Sequence, residues 1–170
     1  MIKDTTGANT LIVENIPEEL AERPQWVCWR YEERDGKQTK VPYTPTGWRA
    51  SSTDLMTWTT CAEAYRYYLD GHCDGIGFVF SSADPYVGID CDDCRDPETG
   101  EVAPWSQSII DRVRDGYVEI SPSGRGIHII LEGTVRDGKT RKDVVVDGKA
   151  VGRVELYSRA KFFTITGVLL

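Results

Sequence analysis

The chain has 170 residues, of which 40% are hydrophobic and 28% charged, with 16 Gly and 8 Pro, so disordered, collagen-like and repeat architectures are excluded. At this length a chain forms one domain, two at most, and buries roughly 70% of the surface its unfolded form exposes. A net charge of −7 argues against a general nucleic-acid binder, and no apolar run approaches the roughly 18 residues of a membrane span.

Met1 to Thr10 has neither an apolar core region nor a cleavage-like site, so a cytoplasmic protein without membrane contact is expected. Glu14 to Glu22, with Pro17 ahead of Glu18 and Glu19, predicts a short helix with acids in its first turn. Gln25 to Tyr31 alternates like a strand, Asp35-Gly36 is a turn signal, and Gln38 to Tyr43 returns as its partner. A helix is expected near Thr57 to Asp70, stopped by Gly71. Strands follow at Gly75 to Phe80 and Tyr86 to Asp92, then a helix from Pro104 to Arg114. Tyr117 to Ser121, Gly126 to Glu132, Asp143 to Val146, Val154 to Tyr157 and Phe162 to Thr166 complete about nine strands and three helices. That inventory predicts an α+β fold with a mostly antiparallel sheet and no internal boundary, a single domain over 1–170.

The five cysteines are an odd number in a chain without a secretion signal, so a disulfide framework is not expected. Cys91 and Cys94 with His72 and Cys73 lack the two spaced pairs of ligands that mark a zinc site, and buried thiols are the better reading. Charge is unevenly spread. Arg136 to Lys161 holds eight Lys and Arg against four Asp and Glu, within a remainder of net −11, and this basic stretch can offer phosphate contacts.

Three constellations carry chemistry. In Val87-Gly88-Ile89-Asp90-Cys91-Asp92 the strand period puts Asp90 and Asp92 on one face, where two carboxylates can hold one or two divalent cations. A calcium loop through Asp90, Asp92 and Glu101 fails because Arg95 stands where the turn needs glycine. In Ser121-Pro122-Ser123-Gly124-Arg125-Gly126-Ile127-His128, glycines and hydroxyls allow close approach to an anion that Arg125 or His128 could neutralise. The plainer alternative is a Gly-rich hairpin with a satisfied core histidine. In Val154-Glu155-Leu156-Tyr157, a lone carboxylate stands between apolar neighbours and calls for a cation or a salt bridge.

The order of the three, an Asp-x-Asp strand, a Ser-x-Gly-x-His-like turn and a third acidic strand, resembles the motifs of the archaeo-eukaryotic primase superfamily. The similarity is to the primase-polymerases of phages, plasmids and integrated elements. It extends from Gln25-Trp26-Val27-Cys28-Trp29 to Phe163-Thr164-Ile165-Thr166-Gly167. The resemblance implies a sheet like that of RNA-recognition motifs, packed with a smaller N-terminal α/β part. It implies that Asp90, Asp92 and Glu155 hold two divalent ions, Mg2+ or Mn2+, with His128 beside them as a catalytic residue. Ser123, Gly124, Arg125, Gly126, His128 and Arg159 or Lys161 would take the nucleotide, a dNTP or NTP. Lys40, Arg49, Arg136, Lys139, Arg141 and Lys142 are expected along a DNA template and primer. The implied activity is template-directed nucleotidyl transfer, with a fused or separate helicase as partner and the chain as the N-terminal part of a longer replication protein. A catalytically silent nucleic-acid-binding module and a metal-dependent nuclease or replication initiator are the alternatives.

Overall fold

The computed structural model describes residues 10–170; the opening stretch read above for a leader lies, up to residue 9, outside them. Two antiparallel sheets dominate. The first contains β1 (Trp26–Arg34), β2 (Lys37–Tyr43), β3 (Gly75–Phe80) and β9 (Lys161–Ile165) in the order β2-β1-β3-β9. The second contains β4 (Tyr86–Asp92), β5 (Tyr117–Ile120), β6 (Ile127–Glu132), β7 (Lys139–Val146) and β8 (Lys149–Tyr157) in the order β5-β6-β4-β8-β7. Every strand pairing among the described residues is antiparallel. With helices α1 (Glu18–Ala21), α2 (Cys61–Leu69) and α3 (Pro104–Ile110), the fold is α+β. The smaller part is not purely N-terminal, because β9, from the far end of the chain, returns to pair with β3.

Local chemistry accounts for the element boundaries. Asp35 and Gly36 both have positive φ, 52° and 72°, the geometry of the two-residue turn that matches strand twist, and they set the β1–β2 register. Asp147 and Gly148 repeat it at 50° and 76° and join a longer hairpin than expected, β7 and β8 starting at Lys139 and Lys149 instead of Asp143 and Val154. The outer halves of these strands are exposed on both faces, so they carry no alternation of polar and apolar residues. Helix α2 begins later than expected, at Cys61. Thr60 caps it, its hydroxyl accepting from the Glu63 amide at 3.2 Å while the Glu63 side chain reaches back, and the residues ahead form a 3-10 turn at Leu55–Thr57. Helix α3 ends at Ile110, four residues early, and the predicted N-terminal helix is split into a 3-10 turn (Val13–Asn15) and α1 by Ile16-Pro17.

Each face of the five-stranded sheet has its own core. Cys91, Ile127 and Ile129 point one way and are covered by Trp105, Ile109 and Ile110 of α3. Ile130, Tyr86 and Tyr117 point the other way, into a cluster with Trp26, Phe78, Phe80 and Phe163 of the first sheet and Ala64 of α2. All five cysteines are free and buried. Gly88, on the strand that carries Asp90 and Asp92, packs against aromatic rings of the first sheet. A Cβ there would lie 2.6 Å from both the Phe80 and the Phe163 ring, which meet edge to face with centroids 4.9 Å apart. Gly88→Ala should therefore overpack this junction and destabilise the chain by about 1–3 kcal/mol, read as a lower urea midpoint with unchanged slope.

Candidate active site

The register of the second sheet aligns five ionisable residues in one row across all five strands. Glu119 on β5 faces His128 on β6, His128 faces Asp90 on β4, Asp90 faces Glu155 on β8, and Glu155 faces Arg141 on β7. Asp92 stands one pleat further along β4 on the same face. Asp90, Asp92 and Glu155 bring carboxylate oxygens within 4.8 Å of one another, and no other such group of His, Cys, Asp or Glu occurs among the described residues. Their side chains are 18%, 45% and 13% exposed, so the cluster is sheltered but reachable.

Three like charges this close repel. Burial pushes the Asp92 carboxyl above the usual carboxylate range, and the charges of Asp90 and Glu155 push it further. The surroundings offset part of this. Arg141 Nε lies 3.4 Å from Glu155 Oε1, the Tyr157 hydroxyl donates to Glu155 Oε2 at 2.6 Å, and Arg153 Nη1 is 4.0 Å from Asp92 Oδ2. His128 Nε2 lies 3.6 Å from Asp90 Oδ1. Burial lowers the His128 pKa, but the hydrogen bond to Glu119 and the charges of Asp90 and Glu119 outweigh it, and the imidazole is held above its ordinary value. Half-buried Lys40 faces the cluster from β2. Burial lowers its pKa, while the charges of Asp90 and Asp92 act to raise it.

The donor set is chemically suited to a hard divalent cation. It consists of carboxylate oxygens only, which match Mg2+ or Mn2+ and not a thiolate-preferring metal. Zinc has no support here. Burial pushes the Cys91 thiol up to about 12, Cys94 Sγ is turned to the Cys91 carbonyl at 3.2 Å, and His72 stacks against Tyr67 of α2. The calcium register through Glu101 does not converge, the acidic cluster taking Glu155 instead.

The remaining expected site residues fall in three places. The Ser121 to Gly126 turn lies beyond the Asp92 end of β4, since Ile127 pairs with Cys91. Its amides are engaged internally: Gly124 N–H donates to the Ser121 carbonyl at 2.9 Å, Gly126 N–H to Ser121 Oγ at 3.1 Å and Arg125 N–H to Ser123 Oγ at 3.3 Å. What the turn presents outward is the exposed side chains of Ser123 and Arg125, the latter 3.6 Å from Asp93. Arg159 and Lys161 lie toward the opposite end of β4, after Tyr157, which pairs with Gly88; Lys161 Nζ sits 4.7 Å over the Tyr157 ring. Of the residues expected along a nucleic-acid strand, Arg136, Lys139 and Lys142 are exposed on the β7 side. Arg141 is turned to Glu155, Arg49 is paired with Glu32 at 2.6 Å, and Lys40 belongs to the carboxylate face.

Two participants escaped the sequence reading. Glu119 is completely buried, and Tyr157 is bonded to Glu155. The alternation Tyr117-Val118-Glu119-Ile120 does contain a signal for Glu119, a charged residue at an inward position of a strand.

An α+β chain with antiparallel sheets thus brings three carboxylates together on one sheet face, two from β4 and one from the neighbouring β8, a donor set suited to a divalent cation. No family model matches the chain. It is 37% identical over 149 residues, 87% of its length, to the DNA primase-polymerase of Nitratiruptor phage NrS-1, and the match spans 20% of that relative. The chain belongs to the primase-polymerase family.

Without a cation, Asp92→Asn should raise the melting temperature at pH 7 in chelator. The folded-state pKa of Asp92 lies above its unfolded value, so the ionised carboxylate costs stability in full above the folded pKa. That cost fades as pH falls through it towards the unfolded value. The gain should accordingly shrink in melts at pH 5 and pH 4, and added Mn2+ should stabilise the wild type more than the variant.

Proposed function

We propose that this chain catalyses template-directed nucleotidyl transfer, extending or starting DNA strands by a two-metal mechanism in the replication of a phage or other mobile element. The observation that carries the reading is the approach of Asp90, Asp92 and Glu155 to within 4.8 Å on one sheet face, next to a buried histidine. Membership of the primase-polymerase family supports it.

Asp90, Asp92 and Glu155 would hold two divalent ions, Mg2+ or Mn2+. Bound there, such ions lower the pKa of the attacking 3′-hydroxyl and neutralise charge on the α-phosphate and leaving pyrophosphate. The chain's own groups do the rest. His128 presents Nε2 on the carboxylate face, where it can meet an incoming triphosphate, and Lys40 and Lys161 add positive charge beside it. Ser123 and Arg125 approach from the other end of β4 as side-chain partners for phosphate, since the Gly124 and Gly126 amides are already committed. Arg141 from β7 and Tyr157 from β8 hold the Glu155 carboxylate in place. Template and primer DNA, with dNTP or NTP, are the partners this chemistry requires, and a helicase, fused or separate, would supply the single strand.

Incubating the chain with a primed template, labelled nucleotide and Mn2+ tests the reading: extension supports it, shortening of the primer favours a nuclease, and no change favours a silent binding module. Asp90→Ala and Glu155→Ala should each bring extension below detection while the melting temperature in chelator stays at or above that of the wild type.

Template binding should depend steeply on salt in spite of the net charge of −7. Lys139 and Lys142 are exposed and do not form part of the carboxylate cluster. Replacing both with Ala should flatten the slope of log K against log salt by about 1.4 to 1.8 units, with similar losses for all template sequences. An unchanged slope would put the strand on the N-terminal hairpin instead.

A further inference from the structure

Glu119 is a carboxylate with no exposure at all, on an edge strand, and it has an unusually complete set of partners. Its Oε2 accepts from the Tyr117 hydroxyl at 2.6 Å and from the amides of Thr166 and Gly167, each at 2.9 Å. Its Oε1 lies 3.1 Å from His128 Nδ1. The two amides come from the segment that follows β9. Gly167 adopts φ +67° there, and a Cβ at that position would run into the Ile12 carbonyl, so the chain is held close against the Glu119 carboxylate. An oxygen pair that receives three donors on one side acts as an acceptor, and the contact to His128 then requires Nδ1 to donate. The ring is otherwise packed against Phe163, with centroids 5.1 Å apart, and its other nitrogen points to Asp90.

We propose that Glu119 is the positioning residue of the site. By accepting from Nδ1–H it fixes the ring plane and tautomer of His128, so that Nε2 alone is delivered to the carboxylate face for the incoming nucleotide's phosphates. A hydrogen on Nδ1 is present whether the ring is neutral or cationic, so the arrangement holds in both states. The geometry and the tautomer stand independently of the reaction; only the kinetic consequence rests on the nucleotidyl-transfer reading.

Glu119→Gln separates positioning from scaffolding. Oε2 faces three donors, so the amide oxygen of Gln must occupy that side and preserve the bonds to Tyr117, Thr166 and Gly167. Its NH2 group must then face His128 Nδ1, where a second donor cannot be accommodated. The ring therefore turns, or shifts its hydrogen to Nε2. A purely structural Glu119 would tolerate Gln.

The 170-residue chain has two histidines, so nitrogen-labelled His72 and His128 can be resolved by two-bond proton–nitrogen correlation spectra. The expected wild-type spectrum has His128 protonated at Nδ1, and Glu119→Gln removes that signature with a melting temperature close to wild type. In primer extension, the variant's kcat/KM for nucleotide should fall by about 10- to 100-fold, while its affinity for primed template is unchanged. The loss should vanish when Glu119→Gln is added to His128→Ala, because the two act through one contact. An unprotonated Nδ1 in the wild type, or a Gln variant with wild-type spectrum and kinetics, overturns the proposal. Should the wild type show the Nδ1 signature but extend no primer, the positioning role stands and the nucleotidyl-transfer reading falls. If Glu119→Gln fails to fold, Glu119→Asp, which retains an acceptor but shortens its reach, should lose the Nδ1 contact in the same spectrum; retention of the contact by Asp together with full nucleotide use would refute it.

Discussion

The site depends on strand register. Glu119, His128, Asp90, Glu155 and Arg141 come from five strands spread along the chain from Asp90 to Glu155, and only their cross-strand pairing makes them neighbours. A one-residue slip on any strand would send its member to the α3 face, among Ile127, Ile129 and Cys91. The apolar residues that alternate with the charged ones therefore do more than fill a core. By making the wrong register bury charge in an apolar layer, they keep the row aligned. The hairpin of β7 and β8 contributes from outside the row: the Asp147-Gly148 turn starts the pairing, and a one-residue register shift between Val144 and Val145 brings Arg141 opposite Glu155 instead of Val154.

That alignment puts electrostatic stress in the middle of the sheet. Asp90 and Glu155 are direct cross-strand neighbours of like charge, a destabilising pair in an ordinary sheet. Here they are flanked by cationic or proton-donating groups on both sides, His128 on one and Arg141 with Tyr157 on the other, with Lys40 above. None of these contacts neutralises the cluster completely. Arg153 is at the limit of an ion pair with Asp92 and is itself drawn towards Asp143 at 3.1 Å. The remaining excess of negative charge makes the cluster costly on its own, a cost that a bound divalent cation would offset.

Much of this was legible in the sequence where alternation coincides with burial. The inward-facing Asp90 and Asp92, the turn before His128 and the carboxylate between Val154 and Leu156 could be read because their apolar neighbours mark the face. The outer β7–β8 hairpin was not fully legible, since its residues are solvated on both faces and obey no period. Lys40 and Arg141 could be read only as bases; that they turn to the carboxylates depends on long-range pairing that no local pattern encodes. Glu119 was hidden for a related reason. A buried acid on a four-residue edge strand resembles an ordinary surface charge until the segment after β9 is seen to cover it. The split of the N-terminal helix followed from Pro17, whose missing amide and fixed φ start a new helix and cannot continue an old one.

The path of the last strand links the two sheets to the chemistry. Having formed the five-stranded sheet, the chain crosses back through β9 to pair with β3, and in doing so it inserts Phe163 between Phe80, Tyr157 and the His128 ring. Beyond β9 the backbone continues over β5, where Thr166 Oγ1 donates to the Ile120 carbonyl and the Ile120 amide donates to Val168. The β5 edge of the five-stranded sheet is thereby covered, as an unpaired edge must be. The first sheet is thus attached to the site through two rigid contacts, an aromatic layer below His128 and the backbone amides around Glu119. A strain introduced in β1 or β3 has a direct route to the imidazole through packed rings, and the smaller sheet acts as the support against which the histidine is set.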